Sequence, residues 1–255
     1  MTDVVRTEDA GSGVLVATMD RAPANALGPP IIEGLESAVD EAGRGFRALV
    51  LTSAIPRFFV AGADIRYMTG IDAAGFAAYG ERLRTLLDRI AGPDLVTIAA
   101  VEGVALGGGL ELAMAATMRV SGADAAFGLP EARLGLIPGA GGTQRLPRLV
   151  GRGRAIDIMA TARQVPAAEA HAIGLVDRLV DAGGARDAAV ELATQLAAGS
   201  RPALAAVVRT VDAAFDRPPA EGMRYEAQQV DALFSGADAA EGLSAFVEKR
   251  PPTFG

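Results

Sequence analysis

The chain has 255 residues, half of them hydrophobic, a formal net charge of −7 and a sequence pI near 4.9. That length suits one large domain or a core with a smaller appendage, and the acidic balance argues against non-specific binding to nucleic acid. There is no cysteine, which excludes disulfides, thiolate zinc sites and thiol nucleophiles and suits the cytoplasm.

Aromatic residues make up only 5% and tryptophan is absent, so Ala, Val, Leu and Gly must do the packing, in closely spaced layers. The opening stretch MTDVVRTEDAGSG is polar, with no apolar h-region, and does not read as a signal peptide. No apolar run reaches the roughly 18 residues of a membrane span. Residues 13–20 (GVLVATMD) read as a strand, and 29–42 as a helix opened by proline. Residues 48–53 (ALVLTS) are a buried strand. In 72–92, Phe76, Tyr79, Leu83, Leu86, Leu87 and Ile90 follow helical spacing. A strand at 95–101 runs into the glycines of LGGGLELAMA. Short strands follow near 118–121 and 125–128, then the Gly/Pro-rich GLPEARLGLIPGAGGTQRLPRLVG, a helix at 155–162 and a strand at 175–180. From about 185 the pattern is helical, broken near Pro202, Pro218–Pro219 and Ser235–Gly236. Alternating strands and helices indicate α/β with substantial parallel pairing. No sequence repeat is evident.

Several chemistries fall away. GAGGTQ (139–144) fails the dinucleotide fingerprint at its last position, and a P-loop needs a lysine where the only one is Lys249. No G-x-S-x-G elbow occurs. His171 is the sole histidine, so a histidine-rich metal site is impossible, and an exposed helical position explains it without any function. Carboxylates, arginines and backbone amides remain, a set suited to proton transfer on an activated substrate.

Glycines at a strand-to-helix junction let the backbone approach a ligand, and the first amides of a helix lack internal acceptors. An amide at Gly108 or Gly109 could thus meet a developing oxyanion. A second amide could come from Ala61-Gly62-Ala63-Asp64, after the strand 48–53. Tight turns of small residues explain both segments equally well. Glu111, one turn into an apolar helix, would have a raised pKa if buried. It can equally be a structural carboxylate satisfied by Arg or backbone. Glu131, after Pro130, can be an exposed first-turn residue.

Taken in order, RFFVAGADIRYM, VEGVALGGGLELAMA, AAFGLPEARLGLIPGAGGTQRLPRLVG, AEAHAIGLVDRLV and EGLSAFVEKR resemble the enoyl-CoA hydratase/isomerase (crotonase) superfamily, its hydratases above all, from about residue 13 to the end. The resemblance implies a spiral of β-β-α units over 1–195 and a C-terminal helical region, 196–255, that builds homotrimers, often paired into hexamers. It implies an acyl-CoA thioester substrate whose carbonyl is held by the amides of Ala63 and Gly108. Glu111 and Glu131 would share one water, Glu111 helping to deprotonate it for attack on Cβ and Glu131 protonating Cα. The product would be a 3-hydroxyacyl-CoA of fatty-acid β-oxidation, with no metal or separate cofactor. The resemblance also sets Ala61, Asp64, Ile65 and Arg66 along the CoA moiety, Arg66 toward its phosphates, with Phe246 and Lys249 near CoA from a neighbouring subunit. Leu110, Ala162 and Ala24 depart from frequent family residues: Leu110 touches packing, Ala162 the acyl end of the pocket, Ala24 one CoA contact. Double-bond isomerisation, a silent CoA-binding scaffold and an RNA-binding homologue are the alternatives. The paired glutamates speak against the first two, and the single lysine with negative charge against the third.

Overall fold

A computed structural model describes residues 4–255; the first three residues of the polar N-terminal stretch lie outside it. The chain opens on β1 (Val5–Asp9) and β2 (Val14–Met19), an antiparallel hairpin in which Val5 pairs with Met19 and Asp9 with Leu15. Then come α1 (Pro29–Gly45), β3 (Ala48–Ser53), β4 (Phe58–Val60), α2 (Ile65–Met68), α3 (Ala73–Ile90), β5 (Val96–Val101), β6 (Val104–Leu106), α4 (Gly108–Ala115), β7 (Met118–Gly122) and β8 (Ala126–Gly128). A 3-10 turn (Glu131–Leu134) leads to α5 (Gly142–Val150), α6 (Arg152–Thr161), β9 (Val165–Pro166), α7 (Ala167–Ala172), β10 (Arg178–Val180) and α8 (Ala185–Ala197). The chain closes with α9 (Arg201–Asp216), α10 (Pro219–Phe234) and α11 (Ala237–Glu248).

Two sheets share the strands. The larger runs β1-β2-β3-β5-β7-β10, parallel except for the first hairpin; the smaller runs β4-β6-β8-β9. β3, β5 and β7 each lie in the large sheet, and the strand that follows each lies in the small one before the chain turns helical. These are the β-β-α units, repeated in space with no repeat in sequence. The expected spiral of such units, with helices at its C-terminal end, is therefore the fold observed.

Both faces of the large sheet are covered at β2, β3 and β5, so these strands read as continuous apolar runs rather than alternating ones. Val14, Val16, Ala48, Val50, Val96, Ile98 and Ala100 face α8, which meets them with Ala185, Ala189, Leu192, Ala193 and Ala197. The intervening Leu15, Ala17, Met19, Leu49, Leu51, Ala99 and Val101 face the main core, with α1, α3 and α4. The alanine face of α8 is what low aromatic content requires: small side chains bring helix and sheet close. Arg119, buried on β7, is neutralised where β7 meets the segment before β10: its guanidinium and its backbone N–H both reach Asp177 Oδ2 at 2.7 Å.

Three sequence expectations change. The polar N-terminal stretch forms β1, an edge strand with only Val5 buried, so no apolar alternation marks it. The Gly/Pro-rich stretch contains α5 despite Pro147 inside it. Phe76 is exposed although its partners along α3 are buried, because it lies in the helix's first turn, outside the packed span. Among the described residues no helix is long and apolar enough to cross a membrane.

Candidate active site

The site forms where β4 and β6, parallel neighbours in the small sheet, reach their C-terminal ends. After β4 the chain is laced to the loop before α1: Ala61 N–H donates to Ala24 C=O (3.0 Å) and Leu27 N–H to Gly62 C=O (2.8 Å). Gly62 C=O and Ala63 N–H belong to one trans peptide, so anchoring the carbonyl turns the Ala63 N–H the opposite way. The same device recurs after β6. Gly107 C=O accepts Glu111 N–H (3.0 Å), so the Gly108 N–H of that peptide points away from the helix. Neither N–H has an acceptor among the described residues.

The glycines have separate reasons. Gly107 has φ +52° and ψ −127°, a region closed to other residues, and a Cβ there would stand 2.7 Å from Glu131 Oε1. A Cβ on Gly108 would stand 3.7 Å from Ala63 N, which places the two candidate donors side by side. Gly109 packs directly under Val60 C=O, where a Cβ would come within 2.2 Å.

Glu111 lies in α4, every residue of which is buried, and is itself 3% exposed. Its Oε1 accepts Ala140 N–H (2.7 Å) and Gly142 N–H (2.8 Å) from the loop before α5. Burial pushes its carboxyl above the ordinary range, while these two amides and the Arg145 charge hold it back. Glu131, at the start of the 3-10 turn, is half-buried; its Oε2 is buried with no hydrogen-bond partner among the described residues. Burial first, then the nearby Glu111 charge, push it up to about 7, against a backbone N–H that lowers it. The two acids therefore interact and titrate as a pair. One is cradled by amides; the other faces Gly107 with Oε1 and leaves Oε2 without a hydrogen-bond partner among the described residues.

The remaining expected residues divide. Ala61 and Ala63 are half-buried in the loop just described. Asp64 caps α2 through Tyr67 N–H (3.1 Å) and pairs with Arg21 (2.7 Å). Burial opposes its charge, but Arg21 and that amide hold its carboxyl below the usual value. Its carboxylate thus braces the loop. Ile65 and Arg66 are exposed on α2. Phe246 is 83% exposed on α11, and Lys249 caps that helix in a left-handed conformation. Among the described residues no hydrogen bond or ion pair joins α11 to the glutamates or to 61–66; its ties run from Glu241 to Arg250 and Thr253. His171 is exposed, its Nδ1 3.2 Å from Val176 C=O. Among the described residues no cluster of three His, Cys, Asp or Glu is arranged to hold a metal.

The chain matches the family model for enoyl-CoA hydratase/isomerase over residues 9–255. It belongs to the enoyl-CoA hydratase/isomerase family. Among relatives, a probable mitochondrial enoyl-CoA hydratase 2 of Arabidopsis thaliana is 36% identical over 252 residues, covering 98% of this chain and 84% of that protein. Mitochondrial methylglutaconyl-CoA hydratase of Mus musculus is 35% identical over 254 residues, covering 97% of this chain and 81% of the relative. A crystal structure of enoyl-CoA hydratase from Bacillus anthracis superposes with a TM-score of 0.94 at 32% identity, covering 98% of each chain. Within this family fold, Leu27, Gly107, Ala140, Gly142 and Arg145 are parts of the site that sequence reasoning passed over. The signal for the last three was GAGGTQR, dismissed with the dinucleotide fingerprint.

Proposed function

We propose that this family member hydrates 2-enoyl-CoA thioesters to 3-hydroxyacyl-CoA, the hydration step of fatty-acid β-oxidation. One observation carries the reading: Glu131, whose Oε1 faces Gly107 and whose buried Oε2 has no hydrogen-bond partner among the described residues, stands near Glu111 and next to an amide pair without acceptors. The thioester oxygen accepts Ala63 N–H and Gly108 N–H, which draws charge out of the alkene and makes Cβ electrophilic. Water between the acids loses a proton to the Glu111 carboxylate as its oxygen bonds to Cβ. The Glu131 carboxylic acid gives its proton to Cα. Proton return from Glu111 to Glu131 through solvent resets the pair, so the net change is addition of one water. Arg66, exposed beside the amide loop, suits the CoA phosphates.

Assembly belongs to the same proposal. Val207, Val211, Phe215, Met223, Val230, Phe234, Leu243 and Phe246 expose apolar surface along α9, α10 and α11, more than solvent-facing helices carry without a partner. We assign this face to a homotrimer, paired into a hexamer, with Phe246 and Lys249 delivered to a neighbour's CoA. Sedimentation velocity should give a trimer or a multiple of it; a monomer at micromolar concentration would refute the assignment.

The deciding assay offers purified protein a series of 2-enoyl-CoA thioesters of increasing length, with 3-methylglutaconyl-CoA and a 3-enoyl-CoA alongside. Loss of the conjugated enoyl absorbance with formation of 3-hydroxyacyl-CoA is expected. Conversion of the 3-enoyl-CoA alone would mean an isomerase. The turnover should be bell-shaped in pH. It falls at low pH as Glu111 gains a proton, and at high pH as Glu131, with its value near 7, loses the one it must donate.

A further inference from the structure

Three consecutive peptide groups of the loop before α5 each have their carbonyl tied outward, while two of their N–H groups turn inward to Glu111. Gly139 C=O accepts Arg84 Nη1 (3.2 Å), and Ala140 C=O accepts Arg145 Nη1 (2.9 Å). Gly141 C=O accepts the backbone N–H of Gln144 (3.0 Å) and Arg145 (2.8 Å), the first bonds of α5. On the inner side, Ala140 N–H and Gly142 N–H converge on Glu111 Oε1. Glu111 Oε2 has no donor among the described residues, so the loop fixes one carboxylate oxygen and leaves the other for chemistry.

Arg145 holds the middle of this loop and is itself held. Its Nη2 pairs with Asp88 Oδ1 on α3 at 2.8 Å, and its side chain is only 21% exposed. Its guanidinium lies in a slot opened by Gly141, where a Cβ would stand 2.1 Å from Nη1. Gly141 also has φ +106°, so two independent constraints demand glycine there. We propose that Arg145, braced by Asp88, is a positioning residue that holds the loop in the shape that presents both amides to Glu111. The inference rests on Glu111 being the base of the hydration reaction, and deepens that reading.

The charge of Arg145 also favours ionised Glu111 directly. The other groups facing Glu111 are Glu131 from the 3-10 turn and Tyr79 from α3. Tyr79 donates to Leu27 C=O (2.6 Å) and is pushed by burial up to about 12, so it stays neutral through the working range. Of these groups, Arg145 alone opposes the burial of the Glu111 charge. Without its guanidinium the carboxyl must titrate higher.

Arg145→Met keeps the stem and removes the guanidinium; Arg145→Lys keeps a charge. In Arg145→Met the acidic limb of the kcat profile should move up by about one pH unit, with kcat down about tenfold and KM within about twofold. Arg145→Lys should recover part of both. Arg148→Met, one turn along α5 and paired with Asp216 on the surface, should leave the profile in place. A second readout does not need turnover: pH-difference infrared spectra contain a carboxyl band identified by its loss in Glu111→Gln. That band should titrate higher in Arg145→Met. If Arg145→Met fails to fold, Asp88→Asn should give a smaller shift of the same sign. A shifted band in a protein that does not hydrate enoyl-CoA would sink the hydratase reading and keep the positioning role. An active protein whose limb and band stay put would sink the positioning role alone.

Discussion

Glu131→Gln is expected to do two opposite things: lower turnover of a 2-enoyl-CoA by about 10²–10⁴-fold, and make the folded protein more stable above neutral pH. The first effect follows from the proton to Cα. An amide at this position cannot serve as the acid, while Gln has the size of Glu and can turn its N–H toward Glu111. The second follows from burial. The Glu131 carboxyl titrates near 7 in the folded chain against an ordinary value of 4.5. At pH 4 it is mostly protonated in both the folded and the unfolded state, and costs little. As pH rises from 4.5 to 7 the unfolded state ionises first, so the folded state is progressively disfavoured; above 7 the penalty is complete. Because water reaches part of the residue, the penalty is discounted to about 1–2 kcal/mol. Urea unfolding at pH 4 and pH 8 reads it directly. Equal stability of variant and parent at both pH values would show that Glu131 is not desolvated as described. Glu111→Gln should lose comparable turnover, because its carbonyl oxygen can still accept the two loop amides while the amide takes no proton from water. Turnover near the parent's in both variants would remove the acid–base roles altogether.

The two glutamates were legible only through the ordered set of motifs; singly, a structural carboxylate explains Glu111 and an exposed first-turn position explains Glu131. What joins them was not. Leu27, which orients the Ala63 amide through Gly62, lies 35 residues upstream of that glycine, and nothing in its own neighbourhood marks it. The central strands β2, β3 and β5 of the large sheet were readable because burial on both faces makes them almost uniformly apolar, as in ALVLTS; the edge strand β1, exposed beyond Val5, was not. β4 and β6 span three residues each, too few to display any period, whereas β8, equally short, falls within the strand read near 125–128. The spiral consequently left no repeat in the sequence: each turn satisfies the same geometry with different side chains. α5 was hidden by its own cradle. Gly141 and Gly142, needed to curl the loop round Glu111 and admit Arg145, read as loop residues, and Pro147 reads as a break.

Gly109→Ala should abolish or severely weaken folding, by about 3 kcal/mol or more in urea, although alanine is the better helix former. In the middle of a helix the exchange would ordinarily gain up to about 1 kcal/mol. Here the new Cβ would stand 2.2 Å from Val60 O and 2.8 Å from Val60 Cβ. The first contact is with backbone of β4, whose position is set by pairing with β6, so relief requires moving a strand or lifting α4. Either movement separates the Ala63 and Gly108 amides. Gly108→Ala provides the contrast. Its Cβ would meet Leu27 Cδ1 at 3.1 Å, the end of a side chain that can shift, so the fold should survive. Turnover should nonetheless fall, because the methyl group would stand 3.7 Å from Ala63 N, in the space the thioester oxygen must reach. Gly153→Ala on α6, where nothing lies within 4 Å, should be neutral or stabilising. The three variants separate helix propensity from close packing and from site access. A Gly109→Ala protein as stable as its parent would mean that α4 does not rest on Val60, and the adjacency of the two amides would lose its support.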